Sequence, residues 1–312
     1  MSGVLLGFGI VLVLAGIGAG AAALLPGRAP EMERGLQPAI YYVTNPALML
    51  VLISDADLVA IAGVFTPIAL LTAAVTGGSY ALVSRLVLRR PAAPTAGGAM
   101  ASSYVNAGNI GVPIAIYAVG STDPVVAVLL AQLLVIAPVY LTLFAWCGPD
   151  SGPTAGAPTW GTVLRSLANP VTIATAAGAL LSLSGLSLPA VLWTPVEMLG
   201  HASVPLLLLV FGMSLVGQKP LGDREMRVDV LLATAVKLTV MPVAAWALAR
   251  FLFGVDGTEL FGVVVMAALP SAQNVFLFAT RFHLRPSLAR DVVFLSSLLS
   301  MPAVLAVALA LG

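Results

Sequence analysis

The sequence predicts an all-α membrane protein of ten transmembrane helices, arranged as two inverted five-helix repeats. Of its 312 residues, 60% are hydrophobic and only 9% charged, with a mean hydropathy of +1.05. A soluble domain carries about 25% charged residues, so a soluble fold is excluded. Ten apolar stretches are each about as long as a helix needs to cross the hydrocarbon core. A polar stretch rich in glycine and proline separates the fifth from the sixth.

The ten apolar stretches are numbered here as spans 1 to 10. The first is apolar for too long, and begins with too few charges, to resemble a cleavable signal peptide. The spans cover residues 3–25, 38–54, 59–87, 96–119, 124–147, 166–187, 196–216, 228–252, 260–282 and 288–311.

The positions of the basic residues support a count of ten. Nearly all of them fall in odd-numbered connections, whereas the even connections are mainly acidic. By the positive-inside rule the odd connections are cytoplasmic and both termini are extracytoplasmic. A count of nine or eleven would scramble this alternation. The basic residues of the odd connections are Arg28, Arg34, Arg85, Arg89, Arg90, Arg165, Lys219, Arg224, Arg227, Arg281, Arg285 and Arg290.

The domain organisation follows from the position of the polar stretch. Residues 148–161 are predicted to be a flexible linker between a first five-helix repeat, 1–147, and a second, 162–312. Because each repeat crosses the membrane an odd number of times, the second enters it inverted. A weak echo supports the repeat: Thr44-Asn45-Pro46 in span 2 resembles Ser203-Val204-Pro205 in span 7.

Two helix-breaking segments occupy matching positions in the two repeats. They are Asn106-Ala-Gly-Asn109-Ile-Gly111-Val-Pro113 in span 4 and Leu269-Pro270-Ser271-Ala-Gln273-Asn274 in span 9. Unwound backbone at bilayer depth survives only inside protein or beside a wet cavity. Paired breaks are therefore the best sequence pointer to a transporter substrate site.

The chemistry of the breaks favours an anion. Helices that restart near Ile110–Pro113 and near Ser271–Asn274 would present unpaired backbone N–H groups with partial positive charge. The carbonyl ends of the preceding half-helices leave a cation as the alternative. No acidic residue lies in the middle of a span, so the fixed negative charge expected of a cation site is missing.

Lys237 lies about nine residues into span 8. An ionisable residue inside the membrane is a functional-site candidate, and here it is a candidate counter-ion for a carboxylate. The alternative is that its long stem lets the ammonium group snorkel to the interface. The sequence leaves both interpretations open.

Other residue types exclude several functions. His201 and His283 have no second ligand at metal-like spacing, and the single Cys147 cannot form an internal disulfide. Histidine and carboxylates occur in the spans only near their ends, so we expect no enzyme, no catalytic residues, no metal and no cofactor, and nothing indicates nucleic-acid binding. Gln132 in span 5 either lines a cavity or, as we favour, bonds a neighbouring helix.

Three motifs resemble the auxin efflux carrier family, whose bacterial members include malonate and malate permeases. They are the Asn-x-x-Asn-x-Gly-x-Pro segment at 106–113, Ala-Leu-Pro-x-x-x-Asn at 268–274 and Lys-x-x-x-x-Pro at 237–242. The resemblance extends over the whole chain in length, number of spans and position of the breaks. It implies a fold shared with bile acid, arsenite and sodium–proton transporters. In that fold spans 1, 2, 6 and 7 are a scaffold and spans 3–5 and 8–10 are a moving transport unit.

By this resemblance the substrate lies where the broken helices of spans 4 and 9 cross. The sodium-coupled bile acid relatives look as if they need a carboxylate beside the crossing. The present sequence has none there, which disfavours sodium coupling and leaves only an all-neutral ligand set open. The substrate-binding residues carried over by position, together with Lys237, are Asn106, Asn109, Gly111, Pro113, Pro270, Gln273 and Asn274.

The function expected is a secondary active or electrogenic transporter of a small organic anion, either a mono- or dicarboxylate or an auxin-like molecule. The expected mechanism is elevator-type alternating access. A sodium-coupled bile-acid-type symporter is the alternative, and an anion channel is less favoured. The expected location is a bacterial inner membrane. H⁺ or Na⁺ as coupling ion stays open, and so does a homodimer, for which Gly16-x-x-x-Gly20 is a weak candidate face.

Overall fold

The protein is helical throughout the part of the chain that the structure, a computed structural model, describes. These residues are 2–147, 169–186, 188–217, 220–282 and 284–311. Within them the only β-type pairing is one isolated antiparallel bridge, between Val105 and Ser271. The predicted linker 148–161 lies outside the described residues.

Twelve helical segments make up this part of the chain. Each predicted span overlaps one of them, except that spans 4 and 9 each overlap two. The segments are α1 (Ser2–Leu24), α2 (Ala29–Ser54), α3 (Leu58–Leu86), α4 (Ala92–Ser103), α5 (Ala107–Val119), α6 (Asp123–Phe144), α7 (Pro170–Ser184), α8 (Ala190–Ser214), α9 (Arg227–Leu252), α10 (Gly257–Ala268), α11 (Gln273–Arg281) and α12 (Pro286–Leu311).

Six helices of the described part are long and apolar enough to cross a membrane: α2, α3, α6, α8, α9 and α12. Four shorter apolar helices lie at Gly9–Leu24, Ala107–Val119, Pro170–Ser184 and Gly257–Ala268. These ten helices support a multi-pass membrane protein. The arrangement of ten spans as an inverted repeat stays a prediction.

The second helix begins earlier than predicted. Span 2 was expected at 38–54, but α2 starts at Ala29. Its first turn contains Pro30, and the N–H that proline lacks would have no helical acceptor at this position. It also contains Glu31, whose negative charge is favourable at a helix N-terminus. This polar turn is helical without being apolar, so hydropathy alone does not detect it.

The chain divides into two compact units, and each takes helices from both halves of the sequence. Unit 1 comprises residues 1–63, 108–126 and 168–218, and unit 2 comprises 64–107, 127–167 and 219–312. Unit 1 therefore holds α1, α2, α7, α8 and nearly all of α5. Unit 2 holds α4, α9, α10, α11, α12 and most of α3 and α6.

Unit 1 is built on close backbone contacts at glycines. A methyl group added to Gly18 of α1 would overlap the carbonyl oxygen of Leu209, and one added to Gly212 of α8 would overlap that of Ala15. Only glycine allows helices to approach so closely. The predicted pair Gly16 and Gly20 faces open space instead, so the glycine that packs α1 within the chain is Gly18.

Unit 2 combines an apolar core with a buried ion pair. The Asp229 carboxylate, at the start of α9, is fully buried and accepts hydrogen bonds from the Arg90 guanidinium at 2.7 and 3.0 Å. The same guanidinium donates to the Glu225 carbonyl at 2.7 Å. Arg285 pairs with the Glu225 carboxylate at 3.2 Å. These bonds connect the segments that precede α4, α9 and α12.

Candidate functional site

The two predicted helix breaks meet inside unit 2. After α4 the backbone is extended at Tyr104 (φ −99°, ψ 111°), and after α10 it is extended at Leu269 (φ −63°, ψ 158°). The Asn106 amide donates to the Pro270 carbonyl at 2.9 Å, and the Ala272 amide donates to the Tyr104 carbonyl at 3.0 Å. Each break therefore supplies backbone partners that the other needs in an apolar environment.

Neutral side chains complete the crossing. The Ser271 hydroxyl donates to the Ala101 carbonyl in the last turn of α4, and the Ser271 amide donates to the Ser296 hydroxyl at 3.0 Å. The buried Gln132 amide donates to the Val105 carbonyl at 2.9 Å. The partner of Gln132 is thus the extended break that follows α4 and not a neighbouring helix.

Lys237 bonds the carboxyl-terminal end of α10, the half-helix that precedes the second break. Its side chain is fully buried, and its ammonium nitrogen donates to the Ala267 carbonyl at 2.9 Å and contacts the Met241 sulfur at 2.8 Å. Ala267 is in the last turn of α10, where helix carbonyls carry partial negative charge. A side chain with no exposed surface does not reach the interface, so the snorkelling interpretation is wrong. No described carboxylate forms an ion pair with it.

Three predicted amide side chains of unit 2 have no partner among the described residues. The Asn106 side chain is buried, whereas Gln273 and Asn274 are exposed in the first turn of α11. In that first turn the Val275 amide donates to the Ala272 carbonyl at 3.1 Å, whereas the backbone amides of Gln273 and Asn274 lack a helical acceptor. The free backbone N–H groups at the start of α11 suit an anion, and the side-chain amides of Asn106, Gln273 and Asn274 can donate to it as well.

The other three predicted residues belong to unit 1. Asn109 is half-buried, Gly111 and Pro113 are buried, and all three lie in α5. The restart expected at Ile110–Pro113 was wrong by a few residues, because α5 begins at Ala107. Pro113 lacks the amide that an α-helix would bond to the carbonyl four residues earlier. The chain accommodates it with a π-helical turn over Ala107–Gly111.

Ser296, which was not among the predicted site residues, accepts the hydrogen bond from the backbone of the second break. It lies in α12 with Ser297 and Ser300, and all three hydroxyl side chains are buried. Three serines within five residues of an apolar span were the available signal. Of the two histidines, His201 is exposed and His283 lies outside the described residues. In the part of the chain that is described, no three His, Cys, Asp or Glu side chains group as metal ligands.

Comparison with known families gives one match. Residues 160–307, just under half of the chain, match the family model described as "Membrane transport protein". No curated protein matches the chain. The matched family is one of transporters and not of enzymes. The match, together with the apolar helices of the described part, supports a multi-pass membrane protein that is similar over this region to membrane transport proteins.

Proposed function

We propose that the protein is a secondary carrier of a small organic anion, which binds where the two broken helices cross. One observation supports this most directly. At the crossing the carbonyl end of α10 is neutralised by Lys237, whereas the backbone amides of Gln273 and Asn274 and the Asn106 side chain have no acceptor in the described residues. With the negative end of one half-helix compensated and the positive end of the next free, an anion is the favoured occupant.

The charge balance of unit 2 supports an anion over a cation. Lys237 is fully buried, and two described carboxylates of unit 2 that are also buried, Asp229 and Asp291, pair with Arg90 and Arg290. A buried charge without a counter-ion is costly. A carboxylate substrate would supply that counter-ion, and a sodium ion would add to the imbalance. This disfavours the sodium-coupled bile-acid-type alternative.

The proposed mechanism is elevator-type alternating access, as the family resemblance implies. The helices that the resemblance assigns to the moving unit are those of spans 3–5 and 8–10, and unit 2 contains them except for most of α5. Unit 1 contains the helices of spans 1, 2, 6 and 7, the proposed scaffold. Location in a bacterial inner membrane with both termini outside belongs to the same proposal.

Uptake into proteoliposomes tests the proposal. The full chain is reconstituted and offered radiolabelled acetate, malonate, malate and indole-3-acetate under imposed proton, sodium or electrical gradients. We expect uptake of at least one of these carboxylates above empty vesicles. If no gradient drives uptake of any of them, the assignment to small carboxylates fails.

Two variants test the assigned side chains. Asn106→Ala and Asn274→Ala each remove an amide of unit 2 that has no intramolecular partner in the described chain. We expect each to lower uptake about tenfold or more, since a hydrogen bond to a charged group contributes roughly 1.5–3 kcal/mol. Gln37→Ala is the matched control, because Gln37 is an exposed amide of α2 that bonds Glu33. If membrane protein level falls as far as uptake does, these amides are structural.

A further inference from the structure

Three buried polar side chains of α9, called here the line, share about half of the helix circumference. Asp229, Thr234 and Lys237 are all buried. At about 100° per residue, Lys237 lies about 60° around the axis from Thr234 and about 80° from Asp229, which is itself about 140° from Thr234. At 1.5 Å per residue, Lys237 lies about 12 Å along the axis from Asp229, with Thr234 between them. The line thus joins the ion pair at the end of unit 2 to the ammonium group at the crossing.

Two hydroxyl groups on or beside this line form no hydrogen bond of ordinary geometry. They belong to Tyr80 of α3, which is fully buried, and to Thr234. The Tyr80 hydroxyl lies beside Ser84 and Asp229 without forming a hydrogen bond of ordinary geometry, and its ring occupies the space beside Gly98. An unpaired buried hydroxyl costs roughly 1–3 kcal/mol, so two in one line call for a functional explanation.

The two ends of the line differ in their access to water. At one end the Arg90 side chain is 24% exposed while its partner Asp229 is 0% exposed, so this pair lies between solvent and interior. At the other end Lys237 is buried and bonded to Ala267.

Of the carboxylates on the helices packed against Lys237, Asp229 is the one that belongs to the line. Glu259 is exposed near the opposite end of α10 from Ala267. Asp291 accepts hydrogen bonds from Arg290 and from the Leu221 amide. The titratable or charged groups on the helices packed against the turn of Lys237 are Tyr80, Arg85, Arg227, Asp229, Glu259, Arg290 and Asp291.

We propose that this line is a proton path, in which Asp229, Tyr80 and Thr234 connect the aqueous phase on the Arg90 side to the amine of Lys237. Asp229 takes a proton from water and passes it on. Each hydroxyl accepts one proton and releases another, with water bridging the gaps. When Lys237 has lost its proton to the opposite side during the transport cycle, its amine is the final acceptor and becomes ammonium again, so the carboxylate and hydroxyls end unchanged. The inference rests on the proposed function, because the proton charges the site that binds the anion.

Proton flux measured together with anion uptake tests the path. Proteoliposomes containing a trapped pH-sensitive dye are given the carboxylate of the panel above that the wild type takes up fastest. We expect Tyr80→Phe and Thr234→Val, which remove one hydroxyl each, to lower substrate-driven proton flux about tenfold. Exchange of the carboxylate at equal pH on both sides should stay within about twofold, because neither hydroxyl bonds the substrate site.

Two further variants separate the path from general damage to α9. Thr234→Ser keeps the hydroxyl and should restore proton flux. Thr239→Val is the matched control, since Thr239 is an exposed threonine of the same helix whose hydroxyl bonds the Ala235 carbonyl at 2.6 Å. If Tyr80→Phe fails to fold, Thr234→Val and its serine rescue decide the question.

Each outcome is decisive. Unchanged proton flux in Thr234→Val overturns the path. Carboxylate uptake by the wild type without proton movement overturns it as well, and leaves the proposed function standing. If no carboxylate is taken up at all, the proposed function fails and the path fails with it.

Discussion

The two compact units are stabilised by different interactions. Unit 1 brings helix backbones into contact at glycines, as at Gly18 and Gly212. Unit 2 contains a buried ion pair, a buried lysine and a pair of helix breaks that bond one another. Backbone contact at glycines suits a rigid frame, because it leaves helices little freedom to shift. Polar groups at bilayer depth are costly and are retained where they act on a ligand.

Within unit 2 the two breaks also differ. The last carbonyls of α4 accept from neutral hydroxyl groups, including those of Ser103 and Ser271. The last turn of α10 accepts from the ammonium group of Lys237 instead. Two segments in matching positions of the predicted repeat are thus completed by different chemistry, and only the second brings a formal charge to the crossing.

Lys237→Met should have the largest effect on transport. The substitution keeps the volume and removes the ammonium group, so we expect carboxylate uptake to fall about a hundredfold, equivalent to roughly 2.7 kcal/mol. Thermal stability should change little, because replacing a buried charge by an apolar side chain is often neutral or stabilising. Uptake and detergent-solubilised melting temperature are measured on the same preparation. Normal uptake by the Lys237→Met protein would mean that the ammonium group of Lys237 has no part in transport.

Asp229→Asn should have the largest effect on the stability of unit 2. It removes a buried carboxylate that accepts from Arg90, so we expect a loss of about 2 kcal/mol or more in the free energy of unfolding. Glu225→Gln is the matched control, because its pair with Arg285 is exposed on both sides and is expected to contribute less than about 1 kcal/mol. Thermal unfolding in detergent compares the two. Equal losses would contradict the distinction between buried and exposed pairs.

Gly212→Ala tests the contrasting feature of unit 1. The added methyl would overlap the Ala15 carbonyl, and overpacking of this kind costs about 1–3 kcal/mol. Gly16→Ala is the control, because a methyl there meets open space. Melting temperatures of the two variants in detergent decide the matter. A Gly212→Ala protein as stable as the wild type would show that the two helices separate at little cost.

The sequence predicted the polar residues that interrupt apolar spans. It did not predict the contacts of a residue that depend on which helix lies opposite. Both breaks were found because Asn, Gly and Pro interrupt apolar stretches. Lys237 was found for the same reason, but its partner, a carbonyl thirty positions away, follows from packing. Gly16 and Gly20 fit a spacing motif, yet Gly18 faces α8. A spacing motif alone does not identify which face of a helix packs against a neighbouring helix.

The smallest effect is expected at a hydrogen bond outside the membrane spans of unit 2. The Ser287 hydroxyl donates to the Asp223 carboxylate at 2.8 Å, and this bond, with that from the Glu225 amide, lowers the pKa of Asp223. A carboxyl whose pKa is lower in the folded state stabilises the fold above its ordinary pKa of about 3.9, and the effect is lost as the pH falls through the folded value. Ser287→Ala should therefore lower stability by less than about 1 kcal/mol at pH 7. The difference from wild type should shrink as melting temperatures are measured toward pH 3, and a difference that grows with acidity would contradict the assignment.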